Sequence, residues 1–314
     1  MRDISRKVYT QRTAVARATL RCTPATIQKI HDREIPKGDP LEISKAAAVQ
    51  AAKNTPQILP YCHTVPLDFV GVAYEFAEAR IEVTVTVQAQ HKTGVEMEAL
   101  TAASAAVLNL YDMMKMLDDD MEIEGVRLVS KKGGKRDWRQ PHAHQLRAAV
   151  VVMSDSVAAG EKEDRSGGII AERLGAEGLE VVETRIVPDD PAAIEAALRH
   201  FADEAKLDLV ITTGGTGFGP RDNTPEVMAR LIERDAPGIA EAARAYGQTR
   251  IPYAMLSRAQ AGLRGATLFI NFPGSPGGVR DGLDALFPAV LHAFPMLEGA
   301  GHPERDGRGA KVPD

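Results

Sequence analysis

The sequence predicts two domains of different fold class. The first is an α+β domain with an antiparallel sheet and helices, and the second is an α/β domain with a doubly wound, mostly parallel sheet. In the first half the strands group as a hairpin, whereas later short apolar runs alternate with helical segments. A polar, glycine-bearing stretch without hydrophobic periodicity separates them. We therefore place the domains at residues 1–136 and 147–314, with a linker at residues 137–146.

Elements of the first domain follow from periodicity and helix caps. Ile81, Val83 and Val85 alternate with polar residues, which indicates a strand with one buried face and one solvent-exposed face. Thr23 precedes a proline and reads as a helix cap. The predicted elements are a hairpin of strands at 70–76 and 81–88, a last strand at 126–130, and helices at 24–31, about 42–53 and about 96–117.

The second domain shows a repeated strand–helix rhythm. The predicted strands are 148–153, 180–187, 208–213 and 267–271, and the predicted helices are 167–174, 192–205, 226–234, about 239–246 and about 279–297. In such a sheet, ligands bind beyond the carboxyl ends of the strands. The glycine-rich tail after Leu297 is predicted to fray.

Composition narrows the class of protein. The 314 residues carry a net charge of −5, divided into +2 for residues 1–140 and −7 for residues 141–314, so neither half has the strongly basic character of a nucleic-acid binder. Cys22 and Cys62 form no CxxC pair, which predicts a reducing compartment and no zinc site. The charged start and the lack of a long apolar run predict a cytoplasmic protein without a membrane partner.

The most unusual stretch of the second domain is ITTGGTGFGPRDNTP, residues 211–225. An apolar run precedes its glycines, and Thr224, Pro225 and Glu226 read as a helix cap, a first-turn proline and an acidic first turn. A strand–loop–helix junction of this kind aims backbone amides and the positive end of a helix dipole at an anion. The loop lacks the Gly-Lys-Ser/Thr ending of a Walker loop. Simple turn geometry remains the alternative explanation of the glycines.

Four strand-end loops of this domain lie on one predicted rim. Hydroxyls and glycine backbones in them suit phosphate oxygens. Asp189 and Asp222 suit Mg²⁺ held between the protein and a triphosphate, whereas Asp190, before a proline, is predicted to cap a helix. The predicted ligand-binding residues of the rim are Ser154, Asp155, Thr213, Gly214, Gly215, Thr216, Gly217, Pro273, Gly274 and Ser275.

The segment TTGGTGFGPRDNTPE, together with SDS, IVPDD, LSR and NFPGSP, resembles the MogA/MoaB family of molybdopterin adenylyltransferases across nearly all of residues 147–297. The resemblance implies a domain that binds molybdopterin and Mg-ATP and transfers AMP to the terminal phosphate of the pterin. It implies that Asp189 and Asp222 handle magnesium and nucleotide, and that the domain forms trimers.

In the first domain, charged residues are dense at 91–98 and 109–115. Asp112 and Lys115 are three residues apart, so on a helix they share a face and can pair. Glu96 and Glu98 are two apart and are expected to point in different directions. Lysines in loops and His63 in a turn would suit acid–base work on an anionic substrate. Taken singly, each could instead be a solvated or structural residue.

The ordered segments KGD, QAAK, LPYCH, KTGVEMEALTAAS, LYDMMK and VRLVSKKGGK closely resemble the MoaC family of cyclic pyranopterin monophosphate synthases over about residues 2–136. The resemblance implies that a cyclised GTP intermediate is rearranged with loss of pyrophosphate, in a hexamer with sites between subunits. It implies acid–base roles for Asp112 and Lys115, and assistance from Lys37 and Lys131 with phosphate and ring opening. The implied pocket residues are Tyr61, Cys62, His63, Glu96, Met97 and Glu98.

Both halves thus indicate molybdenum cofactor biosynthesis, and a bifunctional enzyme is the leading hypothesis. Its expected ligands are the cyclised GTP, molybdopterin and ATP, with Mg²⁺ as the cofactor. One alternative is a synthase fused to a module that binds molybdopterin without transferring AMP. Another is a pair of nucleotide-binding modules that serve regulation.

Overall fold

The computed structural model of the chain describes residues 1–139 and 141–299. These residues divide into two compact units, one from Met1 to Asp137 and one from Trp138 onward. The tail beyond residue 299, which the sequence predicts to fray, lies outside the described residues.

The first unit is built on a four-stranded antiparallel sheet. Its elements are β1 (Thr10–Arg21), α1 (Pro24–His31), α2 (Pro40–Lys53), α3 (Thr55–Ile58), β2 (Phe69–Ala77), β3 (Arg80–His91), α4 (Glu96–Met114) and β4 (Glu122–Lys132). The strand order is β2-β3-β1-β4, and every neighbouring pair is antiparallel. The predicted α+β class is confirmed.

The core of this unit lies between the sheet and α4. Alternate residues of β1 and β3, among them Ala16, Val83 and Val85, are fully buried. α4 packs on β1 and β3, and its buried positions include Ala99 and Ala106. Small side chains on both surfaces allow the helix to approach the sheet closely, so a change in volume by even one methylene is felt here.

The sequence-based prediction missed the central strand β1. Its buried face carries Ala14, Ala16 and Ala18, and alanine is depleted in strands because it offers little side chain to pack on a pleated surface. Arg12, a charged residue on the same buried face, interrupts the apolar alternation further. Twelve residue pairs with β3, from Thr10 with His91 to Arg21 with Arg80, nevertheless fix β1 in the middle of the sheet.

The second unit is a six-stranded α/β sheet. Its elements are β5 (Arg147–Met153), α5 (Asp155–Ala158), α6 (Ser166–Ala176), β6 (Glu180–Val187), α7 (Pro191–Arg199), β7 (Leu209–Thr213), α8 (Thr224–Leu231), β8 (Arg234–Asp235), α9 (Pro237–Gln248), β9 (Ala261–Arg264), β10 (Thr267–Phe272), α10 (Pro276–Leu286) and α11 (Ala293–Leu297). The order is β6-β5-β7-β10-β9-β8. The first four strands are parallel, β9 is antiparallel to β10, and β8 is antiparallel to β9. The predicted mostly parallel class is confirmed.

Two predicted helices of this unit are interrupted. The predicted final helix, 279–297, is divided into α10, a 3₁₀ turn at Ala289–His292 and α11. Pro288 lies at the break, where its missing N–H and its ring prevent a continuous helix. The predicted helix 192–205 ends as α7 at Arg199 and continues as a π turn, His200–Glu204.

Arg139 and His144 fall in the stretch 137–146 that the sequence assigns to a linker, and both form polar contacts within the second unit. Arg139 forms an ion pair of 2.9 Å with Glu177, and His144 lies 3.0 Å from the carboxylate of Asp208. The pKa of His144 is raised because its ring nitrogens donate hydrogen bonds to the carboxylates of Asp208 and Glu298. Polar contacts of this kind leave no periodic pattern of apolar residues, so the hydrophobic periodicity of the sequence could not indicate them.

Neither cysteine forms a disulfide, and Cys22 is buried. Burial raises the pKa of the Cys22 thiol to about 11. Among residues 1–139 and 141–299, no helix combines the length and the apolarity needed to cross a bilayer.

One buried carboxylate ties α1 to the turn that follows α4. Asp118 is 6% exposed and accepts hydrogen bonds from the Thr23 amide at 2.7 Å and from the hydroxyls of Thr23 and Thr26 at 2.9 and 2.8 Å. Burial alone would raise the pKa of Asp118, but these hydrogen bonds, with one from the Asp120 amide, outweigh it and lower the pKa. The ionised form therefore stabilises the native state.

We expect Asp118→Asn to weaken the anchoring of α1 by about 1–3 kcal/mol, the usual value of hydrogen bonds to a buried charged group. Because the folded-state pKa is lowered, this stabilisation is present at neutral pH and is lost as pH falls through the folded-state pKa. Amide hydrogen exchange across residues 23–31, followed between neutral and acidic pH, measures both effects. Asp119→Asn, at an exposed position of the same turn, is the matched control. Equal exchange in Asp118→Asn and wild type would contradict the role of Asp118.

Candidate functional site

A large cavity opens in the first unit where β1 begins and β3 and β4 end. Its volume is about 710 Å³, within the range of small-molecule binding sites. Seven of the ten residues predicted for the site of the first domain line this cavity, and they come from three separate segments of the chain: Tyr61, Cys62, His63, Glu96, Met97, Glu98 and Lys131. The structure therefore brings together residues that are far apart in the sequence.

Cations outnumber acids in the cavity wall. The lining residues include six cations, Arg2, Lys7, Arg12, Lys131, Lys132 and Lys135, and three acids, Glu96, Glu98 and Asp137. Sequence reasoning missed Lys7 and Arg12, because a strand was not assigned to this segment. Arg12 is only 8% exposed, and its Nε donates to the His91 carbonyl at 3.0 Å. The register of β1 with β3 is the signal that would have placed Arg12 beside the loop that leads to α4.

Burial in the cavity wall shifts the pKa values of several groups, among them Glu98, Cys62 and Lys7. Burial raises the pKa of Glu98, which is 3% exposed, and the negative charge of Glu96 adds to the rise. Burial likewise raises the pKa of the Cys62 thiol and lowers the pKa of the Lys7 ammonium. Glu96 forms an ion pair with Lys131, with 3.2 Å between the carboxylate oxygen and the ammonium nitrogen. The wall thus combines fixed positive charge with one acid that holds its proton more tightly than usual.

The other predicted catalytic residues form a separate cluster. Asp112 lies 2.8 Å from the ammonium of Lys115 and 2.9 Å from that of Lys37, so the predicted pairing of Asp112 with Lys115 is confirmed. Lys37 also donates to the Asp112 carbonyl at 2.7 Å. Hydrogen bonds from Lys115 and Lys37 lower the pKa of Asp112 to about 2, and Asp112 in turn raises the pKa of Lys115.

Helix α4 keeps the cavity and this cluster apart. Glu96 begins the helix and Asp112 lies sixteen residues later, which at 1.5 Å per residue is about 24 Å. Lys37, Asp112 and Lys115 do not line the cavity. Within one chain, the two groups of residues therefore cannot act on the same small molecule.

In the second unit, a glycine loop lies at the carboxyl end of β7, beside the point where the strand order reverses. Gly214 and Gly215 have φ values of +110° and +60°. A Cβ on Gly214 would lie 2.2 Å from the Met153 carbonyl oxygen, and one on Gly274 would lie 3.3 Å from the Gly214 Cα. Only glycine allows the ends of β5, β7 and β10 to come this close.

Two acidic residues and an arginine are joined by hydrogen bonds at the end of β6. The amide of Asp155 donates to Asp189 at 3.0 Å, and the amide of Asp189 donates to Asp155 at 2.9 Å. Arg221 holds Asp155 with two hydrogen bonds of 3.0 and 2.8 Å, and these lower the pKa of Asp155.

Asp189 differs from Asp155 in its electrostatics. Burial raises the pKa of Asp189, and the negative charges of Asp155 and Asp222 raise it further. The described residues contain no group of three or more His, Cys, Asp or Glu side chains suited to a metal. A magnesium ion that also binds phosphate needs only one or two carboxylates.

Asp222 and Arg258 shape the second half of the loop. The Asp222 carboxylate accepts from the Gly219 amide at 2.7 Å. Arg258 donates to the carbonyls of Gly217 and Asp222 at 2.8 and 2.6 Å. Sequence reasoning gave Arg258 no role beyond the LSR segment, because only the folded chain places residue 258 against residues 217–222.

Several predicted phosphate-binding hydroxyls are used within the fold. Thr213 is 1% exposed and donates to the Pro273 carbonyl at 2.8 Å. Ser154 and Ser275 accept hydrogen bonds at the starts of α5 and α10. Thr216 is also buried.

Of the two helix caps predicted in this unit, the one at Asp190 is confirmed and the one at Thr224 is wrong. Asp190 caps α7, as predicted, by accepting from the Ala193 amide at 2.9 Å. The prediction of Thr224 as the cap of α8 is wrong by one residue. Asn223 holds the cap position, and Thr224 begins the helix, buried beneath Gly215.

Comparisons with known proteins divide the chain between residues 134 and 149, which includes the boundary between the two structural units. Residues 1–134 match the MoaC family, and residues 149–292 match the probable molybdopterin binding domain. A molybdenum cofactor biosynthesis bifunctional protein of Chlorobaculum tepidum is 41% identical, over 96% of this chain and 96% of its own. A cyclic pyranopterin monophosphate synthase of Aquifex aeolicus is 46% identical over 43% of this chain and 54% of its own.

Among solved structures, the molybdopterin biosynthesis enzyme MoaB of Thermus thermophilus is 42% identical, over 49% of this chain and 98% of its own, with a TM-score of 0.47. The relatives that match nearly the whole chain have both domains in one polypeptide. The chain therefore belongs to the family of molybdenum cofactor biosynthesis bifunctional proteins, with a MoaC domain followed by a molybdopterin-binding domain.

Proposed function

We propose that the first domain converts 3′,8-cyclo-7,8-dihydro-GTP into cyclic pyranopterin monophosphate and pyrophosphate. The observation that carries this proposal is the cavity of about 710 Å³ with six cations in its wall. A triphosphate needs several positive charges, and a wall in which cations outnumber acids supplies them before the substrate arrives.

The cavity residues divide the work by charge. Arg12 stays cationic, because the pKa of an arginine is far above neutral even when burial lowers it. It can therefore bind phosphate oxygens with Lys131 and Lys7. The buried acid Glu98 can hold a proton and donate it to a ring atom of the substrate, since its pKa is raised toward neutrality. His63 lies beside these groups as a second proton carrier.

We infer that Lys37, Asp112 and Lys115 complete the cavity of a second copy of the chain. The separation of about 24 Å along α4 supports this inference, since a ligand of nucleotide size cannot bridge it. A symmetric assembly can bring one end of α4 beside the other end in a neighbour. The hexamer expected from the MoaC resemblance would provide such contacts. In this arrangement Asp112 holds two ammonium groups in place, and a proton can move between Lys115 and the substrate.

For the second domain, we propose adenylylation of molybdopterin with Mg-ATP. The loop amides at 214–217 and the start of α8 suit phosphate. Asp189 and Asp222 are the residues that would hold magnesium. The fit is electrostatic, because burial and then the negative charges of Asp155 and Asp222 raise the pKa of Asp189, and a bound cation would favour its ionised form. When bound, magnesium supplies charge neutralisation on the triphosphate. The chain itself positions the phosphates with its backbone and orients Asp155 through Arg221.

We expect Asp112→Ala or Lys115→Ala to lower the formation of cyclic pyranopterin monophosphate by at least about 100-fold, the usual range for loss of an acid–base group. The readout is pyrophosphate release from cyclised GTP. Lys45→Ala, which removes an exposed helix lysine from the same unit, is the matched control. Near-normal turnover in the Lys115 variant would contradict the acid–base role of Lys115, and near-normal turnover in the Asp112 variant would contradict the role of Asp112 in holding the two lysines.

Mixed oligomers test the shared site directly. Equal amounts of Lys115→Ala and His63→Ala chains, each inactive alone, are unfolded and refolded together. Random pairing then leaves roughly a quarter of the sites intact if two chains form each site. Recovery of activity supports the shared site, whereas no recovery in mixed oligomers of normal size argues that each site lies within one chain.

In the second domain, Asp222→Ala should abolish AMP transfer but weaken molybdopterin binding much less, because its proposed contact is with the metal and not with the pterin. Adenylylated pterin is measured after incubation with Mg-ATP and molybdopterin, and pterin binding is measured separately. Asp190→Asn is the matched control, since asparagine keeps an oxygen that can cap α7. Equal loss of transfer and pterin binding would contradict the metal role. If the wild-type protein binds molybdopterin but forms no product, the domain is a binding module.

A further inference from the structure

The side chain of Arg258 holds the carbonyls of two residues in the loop 214–222 from outside the loop. Arg258 lies between the 3₁₀ turn Pro252–Leu256 and β9, and its amide donates to the Thr216 carbonyl at 2.9 Å. Its Nε donates to the Gly217 carbonyl at 2.8 Å, and its terminal nitrogens reach the Asp222 carbonyl at 2.6 Å and the Glu226 carboxylate. These contacts join the middle of the loop, its end and the first turn of α8.

The part of the loop from 214 to 219 needs such support because its own side chains supply few contacts, whereas Arg221 at the far end of the loop is held by Asp155. Four of the residues from 214 to 219 are glycines, and two of them adopt positive φ values. Glycine has no side chain to pack and loses the most conformational freedom on folding. Asp222 accepts from the Gly219 amide, but both partners belong to the same short segment. That bond closes the turn without fixing its place relative to the sheet.

The shape of the guanidinium suits the task. Arginine carries five N–H donors in one plane, so one side chain can serve carbonyls and a carboxylate in different directions. A lysine has a single ammonium on a flexible stem and cannot reproduce this fork. The Arg258 side chain is 30% exposed, so it lies partly inside the loop and not over it.

We propose that Arg258 is a positioning residue that sets the place of the Asp222 carboxylate by holding the carbonyls of Gly217 and Asp222. It acts through the loop backbone and not as a ligand of the nucleotide. Its effect on magnesium and ATP rests on the adenylyl transfer proposed above. The Glu226 ion pair is secondary, since it joins Arg258 to α8 and not to the loop carbonyls.

Three variants separate these contributions. Arg258→Lys keeps the positive charge and removes the fork. Glu226→Gln removes the ion pair and leaves both carbonyl contacts available. Arg264→Lys is a matched control, because Arg264 makes a similar two-bond contact with Asp203, at 2.8 and 2.9 Å, outside the 214–222 loop. The unfolding midpoint of each variant reports its general stability.

The first readout is amide hydrogen exchange of residues 217–222 in the protein without ligand. We expect the Gly219 amide, which reports the position of Asp222, to exchange at least about tenfold faster in Arg258→Lys, the effect of losing one charge-assisted hydrogen bond. Glu226→Gln and Arg264→Lys should stay near the wild-type rate. An unchanged rate in Arg258→Lys, or an equal increase in Glu226→Gln, would overturn the proposal.

The second readout is the Mg²⁺ concentration that half-saturates ATP binding, measured by titration calorimetry, together with kcat and KM for AMP transfer. A purely structural loss would lower the unfolding midpoint without moving the Mg²⁺ dependence. We expect Arg258→Lys to raise the half-saturating Mg²⁺ concentration about tenfold and to lower kcat more than it raises KM for molybdopterin. If wild type neither binds Mg-ATP nor transfers AMP, the proposed function fails, and the exchange of the Gly219 amide alone decides on Arg258.

Discussion

The polyphosphate ligands proposed for the two domains require fixed positive charge, and each domain offers that charge in a different way. The first domain uses side chains, with six cations in one cavity wall. The second uses backbone amides and a helix start, with a glycine loop that few side chains obstruct. A site made of cationic side chains tolerates some variation of the backbone, whereas a site made of backbone N–H groups depends on one backbone conformation. This difference explains why the glycine positions carry so much of the second domain's geometry.

The position of the acidic residues follows from the same requirement. A carboxylate beside a phosphate site is repelled unless a cation lies between them. Asp112 and Asp155 are each bound to a cationic side chain, and the pKa of each is lowered. Glu98 and Asp189 show the opposite shift, because burial and neighbouring acids raise their pKa values. The first pair is therefore suited to holding other groups in place, and the second pair to exchanging a proton or accepting a metal.

The sequence predicted both fold classes and most elements, since periodicity and caps are local signals. It also predicted which segments meet in the first cavity, through resemblance and not through spacing. It missed β1, whose buried alanines resemble no strong strand former, and therefore missed Arg12 and Lys7 as well. It also missed the breaks in the last helix and the cap at Asn223. The position of β1 depends on tertiary packing, which no window of the sequence contains, whereas Pro288 is a local signal that could have indicated the break in the last helix.

The proposed division of the first site between two ends of α4 has a consequence for assembly. A site completed by a second copy makes activity depend on association, so a mutation at the contact surface would behave like a mutation of a catalytic residue. The second domain is different, because the loops after β5, β6, β7 and β10 meet at the carboxyl edge of its own sheet. Association can stabilise that site, but the residues proposed to hold phosphate and metal there come from one chain. Dilution should therefore separate the two activities, with the first lost before the second.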